Sequence, residues 1–420
     1  GARRENRRNS RRGRGKPSLM GSGGAGIPLR ELGLVFLVAC TVTYLCTGII
    51  RSIMVRSGRI AAIRDRDVHT QPKPRLGGAA MFTGFLAAVF IAQQLPALTR
   101  GFKPITPEMG AVVMAGFVIV IVGIIDDIFE IDAITKLIGQ ILGAMVMSLM
   151  GLSWTLLYLP FGDGTTVVID QFQSTVVTAL FTVTLINAIN FVDGLDGLAA
   201  GLGMISGCAI LVFALTILHD QGGTVSAYPP AIIAAALVGI CLGFLPHNFE
   251  PSRIFMGDSG SMLIGLLLAA AATSASGKIN MSLYGAVDMV ALISPFIVVV
   301  AAVFVPLLDL VMAVVRRVSK GRSPFSADKM HLHHRLLGLG HSHRSVVLLL
   351  YMWVSVVAFG AVAFSAIPAP YALAGILISL AMALVYTFSP VFRSARTGEG
   401  NTAAPEGRRQ ASLRTATDAR

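Results

Sequence analysis

An all-α polytopic membrane protein of about eleven transmembrane helices is the fold class that the 420-residue sequence predicts. Three observations predict it. Fifty-four per cent of the residues are hydrophobic, and only 13% are Asp, Glu, Lys or Arg, about half the charged share of an ordinary soluble domain. The mean hydropathy is +0.72. Apolar runs long enough to cross about 30 Å of hydrocarbon recur along the chain, without the alternation of a porin strand. A soluble globular protein, a disordered chain and an outer-membrane barrel are thereby excluded.

The elements follow in order. The first 30 residues hold nine of the 34 Lys and Arg, beginning with Arg3, Arg4, Arg7 and Arg8. No aromatic residue or folded motif accompanies them, so they read as a solvated tail near anionic headgroups and not as a nucleic-acid site. No apolar run precedes Ile27, which argues against a signal peptide, and the start at Gly1 reads as a processed or non-native end. Eleven apolar segments then centre near residues 40, 86, 116, 142, 180, 208, 237, 268, 300, 356 and 378. The last two are separated only by Ile367-Pro368-Ala369-Pro370. Phe161-Gly162-Asp163-Gly164, between β-prone runs within Trp154 to Asp170, predicts a small extracytoplasmic β-hairpin. Cys40, Cys46, Cys208 and Cys241 lie inside apolar runs without CxxC spacing and read as small buried hydrophobes. The predicted organisation is a basic disordered tail over 1–30, a transmembrane domain over 31–392 and a disordered cytoplasmic tail over 393–420.

The connections alternate. Those after the odd-numbered spans hold Arg51 to Arg75, Asp126 to Lys136, Asn187 to Asp196, His247 to Ser261 and Arg316 to Arg344, with 16 Lys and Arg between them. The even-numbered connections hold three, Arg100, Lys103 and Lys278. All the polar loops therefore emerge on one face, and the positive-inside rule assigns that face to the cytoplasm of a multi-pass plasma-membrane protein. The basic N-terminal tail falls on the other side and breaks the rule; the pattern of five independent loops outweighs it.

Chemistry concentrates in those loops. Asp126-Asp127 stands at the end of a span, within a run that continues to Glu130 and Asp132. Paired carboxylates there need a cation, a lysine or a charged substrate, and suit a proton acceptor. Lys136 follows within reach of a phosphate. Asn190, Asp193 and Asp196 recur every three residues between glycines, with hard oxygens suited to Mg²⁺. In Asn248 to Ser261, Gly257 and Gly260 flank Asp258, a candidate metal ligand, and Phe255 is free to stack on a base. His331-Leu332-His333-His334-Arg335 lacks the cysteines or HExxH spacing of a zinc site and suits donation to an anionic phosphate. His341 and His343 read as solvated loop residues. In His69 to Gly78, Pro72 and Pro74 stiffen an extended segment while Lys73 and Arg75 offer positive charge to phosphates. A cytoplasmic site for a Mg²⁺–diphosphate accounts for all five loops.

Over roughly residues 31–392 these five motifs, in this order, resemble the polyprenyl-phosphate N-acetylhexosamine-1-phosphate transferases. The resemblance implies transfer of a sugar 1-phosphate from a UDP-sugar to membrane polyprenyl phosphate, with release of UMP and a need for Mg²⁺, Mn²⁺ being a substitute. It implies that Asp126 and Asp127 are catalytic, one of them deprotonating the lipid phosphate. Asp258 and Asn190 match metal ligands. Asp193 and Asp196 match an acidic motif near the nucleotide, and Asn248 and Phe255 match uridine contacts. Lys136, His331, His333, His334 and Arg335 match contacts to pyrophosphate and sugar. The His69 to Gly78 segment resembles the branch that uses UDP-GlcNAc to begin a cell-envelope glycopolymer, rather than the UDP-MurNAc-pentapeptide branch of peptidoglycan synthesis. A homodimer is compatible with the sequence. The rival of another class is an ion-coupled transporter, for which intramembrane Asp309 is the one supporting residue and is otherwise read as a structural partner of the ninth span.

Overall fold

The computed structural model describes residues 27–57, 73–99, 102, 107–154, 156–159, 165–220, 228–276, 300–301, 304–319, 321, 336 and 341–397. Among these the chain forms α1 (Leu29–Arg56), α2 (Gly77–Gln94), α3 (Glu108–Phe129), α4 (Ala133–Leu149), β1 (Leu156–Leu159), β2 (Thr165–Val168), α5 (Gln171–Val192), α6 (Leu198–Asp220), α7 (Tyr228–Asn248), α8 (Gly257–Ser276), α9 (Phe304–Ser319), α10 (His343–Ala366) and α11 (Ala369–Thr397). Nine helices among the described residues are long and apolar enough to cross a membrane, all of these except α4 and α9. The protein is thus an all-α polytopic membrane protein with a hairpin. With 17 residues, α4 rises about 26 Å, a little less than the hydrocarbon thickness. The span expected near residue 300 falls largely on 277–299, outside the described residues. The 16-residue α9 that follows carries Arg316 and Arg317 in its last turn; it also carries Asp309, whose side chain lies outside the description.

Local chemistry sets the turns. Helix α3 ends at Glu130, which takes the left-handed conformation with φ 52°. Asp132 then opens α4, its Oδ2 accepting from the amides of Ile134 and Thr135 at 3.0 Å and its Oδ1 from Thr135 Oγ1 at 2.6 Å. Such a cap is worth about 1 kcal/mol, and the same bonds, Thr135's hydroxyl foremost, hold the Asp132 carboxyl below its ordinary range. The chain so reverses within three residues, and α4 returns against α3. At the other end of α4, β1 pairs antiparallel with β2 in the register Leu156↔Val168 to Leu159↔Thr165. The hairpin thus forms where the sequence predicts it, although its tip, 160–164, lies outside the described residues. Asp170 opens α5 with a capping box, accepting from the Gln173 amide at 2.8 Å.

The core is α7 and α8. Their most apolar stretches are 89% and 94% buried, against 11% in α11 and 22% in α1. Helices apolar all round belong inside a bundle, and α1 and α11 turn residues such as Leu45, Leu377 and Val385 outward. In lipid, association relies on close packing rather than on a hydrophobic drive. Gly239 and Gly243 of α7 accordingly admit the α1 backbone at Phe36 and Cys40, where an added Cβ would overlap it. The cysteines are unpaired, and Cys241 is fully buried. His341 departs from its reading as a solvated residue. It is buried, and its Nε2 lies 2.9 Å from the Thr387 carbonyl, because α11 folds back over the start of α10; His343 opens α10 half-buried.

Gly243→Ala should therefore lower the melting temperature of the detergent-solubilised protein, by overpacking of about 1–3 kcal/mol. Gly110→Ala, with nothing within 4 Å of the new Cβ, should leave it unchanged.

Candidate active site

Adjacent residues on a helix point about 100° apart, and this separates the two aspartates at the end of α3. Asp126 turns toward α4, where Lys136 Nζ lies 3.1 Å from its Oδ2. The same ammonium is 2.7 Å from Asp258 Oδ2, on the first turn of α8. Asp258 Oδ1 accepts from Asn190 Nδ2 at 2.6 Å, near the end of α5, and that nitrogen also donates to Ser261 Oγ at 2.8 Å. Four helices thus meet at one lysine and two carboxylates. Asp127 turns instead to the start of α8, accepting from the amides of Asp258 at 2.7 Å and Ser259 at 3.2 Å and from Ser259 Oγ at 2.7 Å.

A second network lies beside the first. The segment between α7 and α8 is tied to the start of α2, with Phe255 N donating to Pro74 O, Gly77 N to Phe255 O and Gly78 N to Met256 O at 2.9–3.1 Å. Asp196 accepts from Ser252 N at 2.9 Å and from Ser252 Oγ at 2.7 Å. Lys73 donates to Ser252 Oγ at 2.8 Å and sits 3.5 Å from Asp196 Oδ2. Its ammonium also stands 5.1 Å from the centre of the Phe255 ring, within cation–π range. Asn248, 3% exposed, accepts from Gly197 N and donates to Ile254 O, each at 3.1 Å. Tyr351 of α10 grips the same glycine from the other side, donating to its carbonyl. The polar atoms of Asp196 and Asn248, ligand contacts by resemblance, are here seen holding the loop that carries Phe255.

Asp193, just past the end of α5, has its carboxyl pushed up to about 8, by burial first and then by the negative charges of Asp258, Asp127 and Asp196. Asp193 thus lies within electrostatic reach of the carboxylates of Asp258, Asp127 and Asp196 and of the Lys136 ammonium. Among the described residues no group of three or more His, Cys, Asp or Glu is disposed to hold a metal by itself. Arg75, mostly buried, lies 4.0 Å from Glu130. His331, His333, His334 and Arg335, like His69 to Pro72, lie outside the described residues.

The structure adds residues that motif reading passed over. Arg317 is buried with its guanidinium 5.2 Å from the centre of the Phe191 ring, next to Asn190. In the sequence it is one of many arginines at a span end and carries only topological meaning. Ser252, Ser259 and Ser261 lie in the quoted segments without distinguishing chemistry, and Tyr351 sits inside an apolar run. The pairing of Asn248 with two backbone groups makes a further expectation. Asn248→Ala leaves the Gly197 amide and the Ile254 carbonyl without that partner, so it should destabilise the protein by about 1–3 kcal/mol, read as a lower melting temperature even without nucleotide.

The glycosyl transferase family 4 model matches residues 109–276, which run from α3 through α8 and contain both networks except Lys73, the α2 start and Tyr351. A decaprenyl-phosphate N-acetylglucosaminephosphotransferase of Mycobacterium tuberculosis is 59% identical over 338 residues, 80% of this chain and 83% of that protein. One of the same description from Mycolicibacterium smegmatis is 54% identical over 375 residues, 89% of this chain and 92% of its own. A probable undecaprenyl-phosphate N-acetylglucosaminyl 1-phosphate transferase of Bacillus subtilis is 34% identical over 326 residues, 76% and 81% of the two chains. With the described parts of its motifs gathered at one end of the bundle and these identities extending over most of its length, the chain belongs to the polyprenyl-phosphate N-acetylhexosamine-1-phosphate transferases of glycosyl transferase family 4.

Proposed function

We propose that the protein transfers GlcNAc-1-phosphate from UDP-GlcNAc to a membrane polyprenyl phosphate and releases UMP, the first membrane step of a cell-envelope glycopolymer. The observation that carries this reading is Lys136, held between Asp126 and Asp258 where membrane helices end. A charged centre at that depth can meet a lipid phosphate at the interface and a nucleotide from water. The names of the relatives support GlcNAc over MurNAc-pentapeptide, and those more than half identical support decaprenyl phosphate as the carrier. A transporter is disfavoured, because its groups would be expected near the midplane and these carboxylates gather at one end. The polar end faces the cytoplasm in this reading, by the positive-inside rule.

The donor set fits a divalent cation. Asp258 and Asn190 offer hard oxygens, Asp126 and Asp127 lie beside Asp258 across Lys136 and the start of α8, and Mg²⁺ commonly takes only one or two carboxylates plus substrate phosphate. Asp258 and Asn190 would hold Mg²⁺ (or Mn²⁺), which when bound would neutralise the diphosphate. The chain's own residues do the rest. Asp126 takes the proton of the lipid phosphate, and Lys136 beside it steadies the oxygens that gain charge. A lipid phosphate oxygen bonds to the β-phosphorus of UDP-GlcNAc, the bond from that phosphorus to the bridging oxygen breaks, and UMP departs with the electron pair. Phe255, fixed by Lys73 and the α2 pairing, offers its ring to uracil. Arg335 and the histidines of 331–334 contact the diphosphate, and Arg75, Asp193 and Asp196 border the nucleotide.

UMP release in detergent should require UDP-GlcNAc, polyprenyl phosphate and Mg²⁺ together. EDTA should abolish it and Mn²⁺ restore part, while UDP-MurNAc-pentapeptide should be inert. Asp258→Ala should reduce turnover about a thousandfold with the size-exclusion profile intact; Mg²⁺-dependent turnover at the wild-type rate would refute its role. Initial-velocity plots should intersect, as for a ternary complex. Parallel lines with a trapped phosphosugar–enzyme would instead establish a covalent aspartyl intermediate.

A further inference from the structure

We propose that Asp127 is a positioning residue, the N-terminal cap of α8 supplied from α3, and acts on the reaction only through Asp258; this rests on the function proposed above. The start of α8 has no cap of its own. Met256 and Gly257 precede Asp258, and neither carries a side-chain oxygen. The first amides of a helix need acceptors, and a carboxylate there also meets the positive end of the helix dipole. Asp127 meets both needs, its Oδ1 taking the Asp258 amide at 2.7 Å and its Oδ2 the Ser259 amide at 3.2 Å and the Ser259 hydroxyl at 2.7 Å.

The surrounding packing is built for this contact. Gly257 adopts φ 71°, and a Cβ there would collide with the Asp127 carboxylate. Gly123, one turn before Asp127, lies so close to the Ser259 backbone that a side chain would overlap it. Gly78 of α2 closes on Ser259 and Gly260 from the other side. Asp258 is thereby held at its amide by Asp127 while its carboxylate meets Lys136 and Asn190. Both Asp127 oxygens accept from fixed donors at the start of α8. That division makes Asp127 the anchor of the doublet and leaves Asp126 facing Lys136.

The test uses Asp127→Asn, Ser259→Ala and the double variant in the full-length, detergent-solubilised protein. Melting temperatures should be non-additive, the double variant melting no lower than Asp127→Asn alone; additive losses would overturn the cap. With turnover normalised to folded protein, half-saturating Mg²⁺ should rise about tenfold in Asp127→Asn and several-fold in Ser259→Ala, whereas a merely structural role leaves it unchanged and overturns the proposal. The acid limb of the pH–rate profile should keep its midpoint in Asp127→Asn. Its disappearance would make Asp127 the base and refute the assignment. If the wild-type protein releases no UMP, the proposed function fails, and the melting cycle alone decides whether Asp127 caps α8.

Discussion

Carboxylates at the rim of a hydrocarbon layer persist only where positive charge or donors meet them, and the contact of Lys136 with Asp126 and Asp258 is where this protein satisfies that constraint. The rest of the polar end is arranged around it. The left-handed turn at Glu130 and the Asp132 cap bring the first turn of α4 beside the last turn of α3, which sets Lys136 opposite Asp126. Glycines on α2 and α3 let the start of α8 approach closely enough for Asp258 to reach the same ammonium. Asp193 lies beside these acids just past the end of α5, and burial first, then the charges of Asp258, Asp127 and Asp196, push its carboxyl up to about 8.

Hydropathy made the bundle legible, because burial in lipid selects composition over long stretches. Phe161 to Gly164 marked the hairpin for the same kind of reason, a turn-forming cluster between β-prone runs. The convergence of the described polar segments followed from alternation alone. The division of labour among their residues did not. Asp126 and Asp127 are the same residue type one position apart, yet their partners come from α4 and from the start of α8. Asn248 and Asp196 have the chemistry of ligand contacts, and nothing in a sequence distinguishes an amide that meets uridine from one that meets a peptide group. Tyr351 and Arg317 were hidden differently, one inside an apolar run and the other among arginines that any span end carries. His341 read as solvated because the fold of α11 over α10 is a tertiary fact.

The second network explains how loops between membrane helices acquire the precision that catalysis needs. Gly197 is held through its carbonyl by Tyr351 and through its amide by Asn248, so the turn carrying Asp193 and Asp196 is clamped from α10 and α7 at once. Asp196 passes that constraint to Ser252, and Ser252 to Lys73. The segment bearing Phe255 then pairs with the start of α2 through backbone bonds. Backbone anchoring of this kind fixes the Phe255 ring without using its side chain.

This arrangement also accounts for why the acidic motif is a doublet. A single aspartate at the end of α3 can face either α4 or α8, since one side chain covers one direction. Two consecutive residues, about 100° apart, address both neighbours from one helical turn. The first shares the lysine with Asp258, and the second holds the backbone on which Asp258 stands. Spacing of three or four would return both carboxylates to one face, crowding two negative charges together and leaving the start of α8 uncapped. Adjacency is therefore the spacing that lets α3 complete the charged centre and fix its geometry in the same turn.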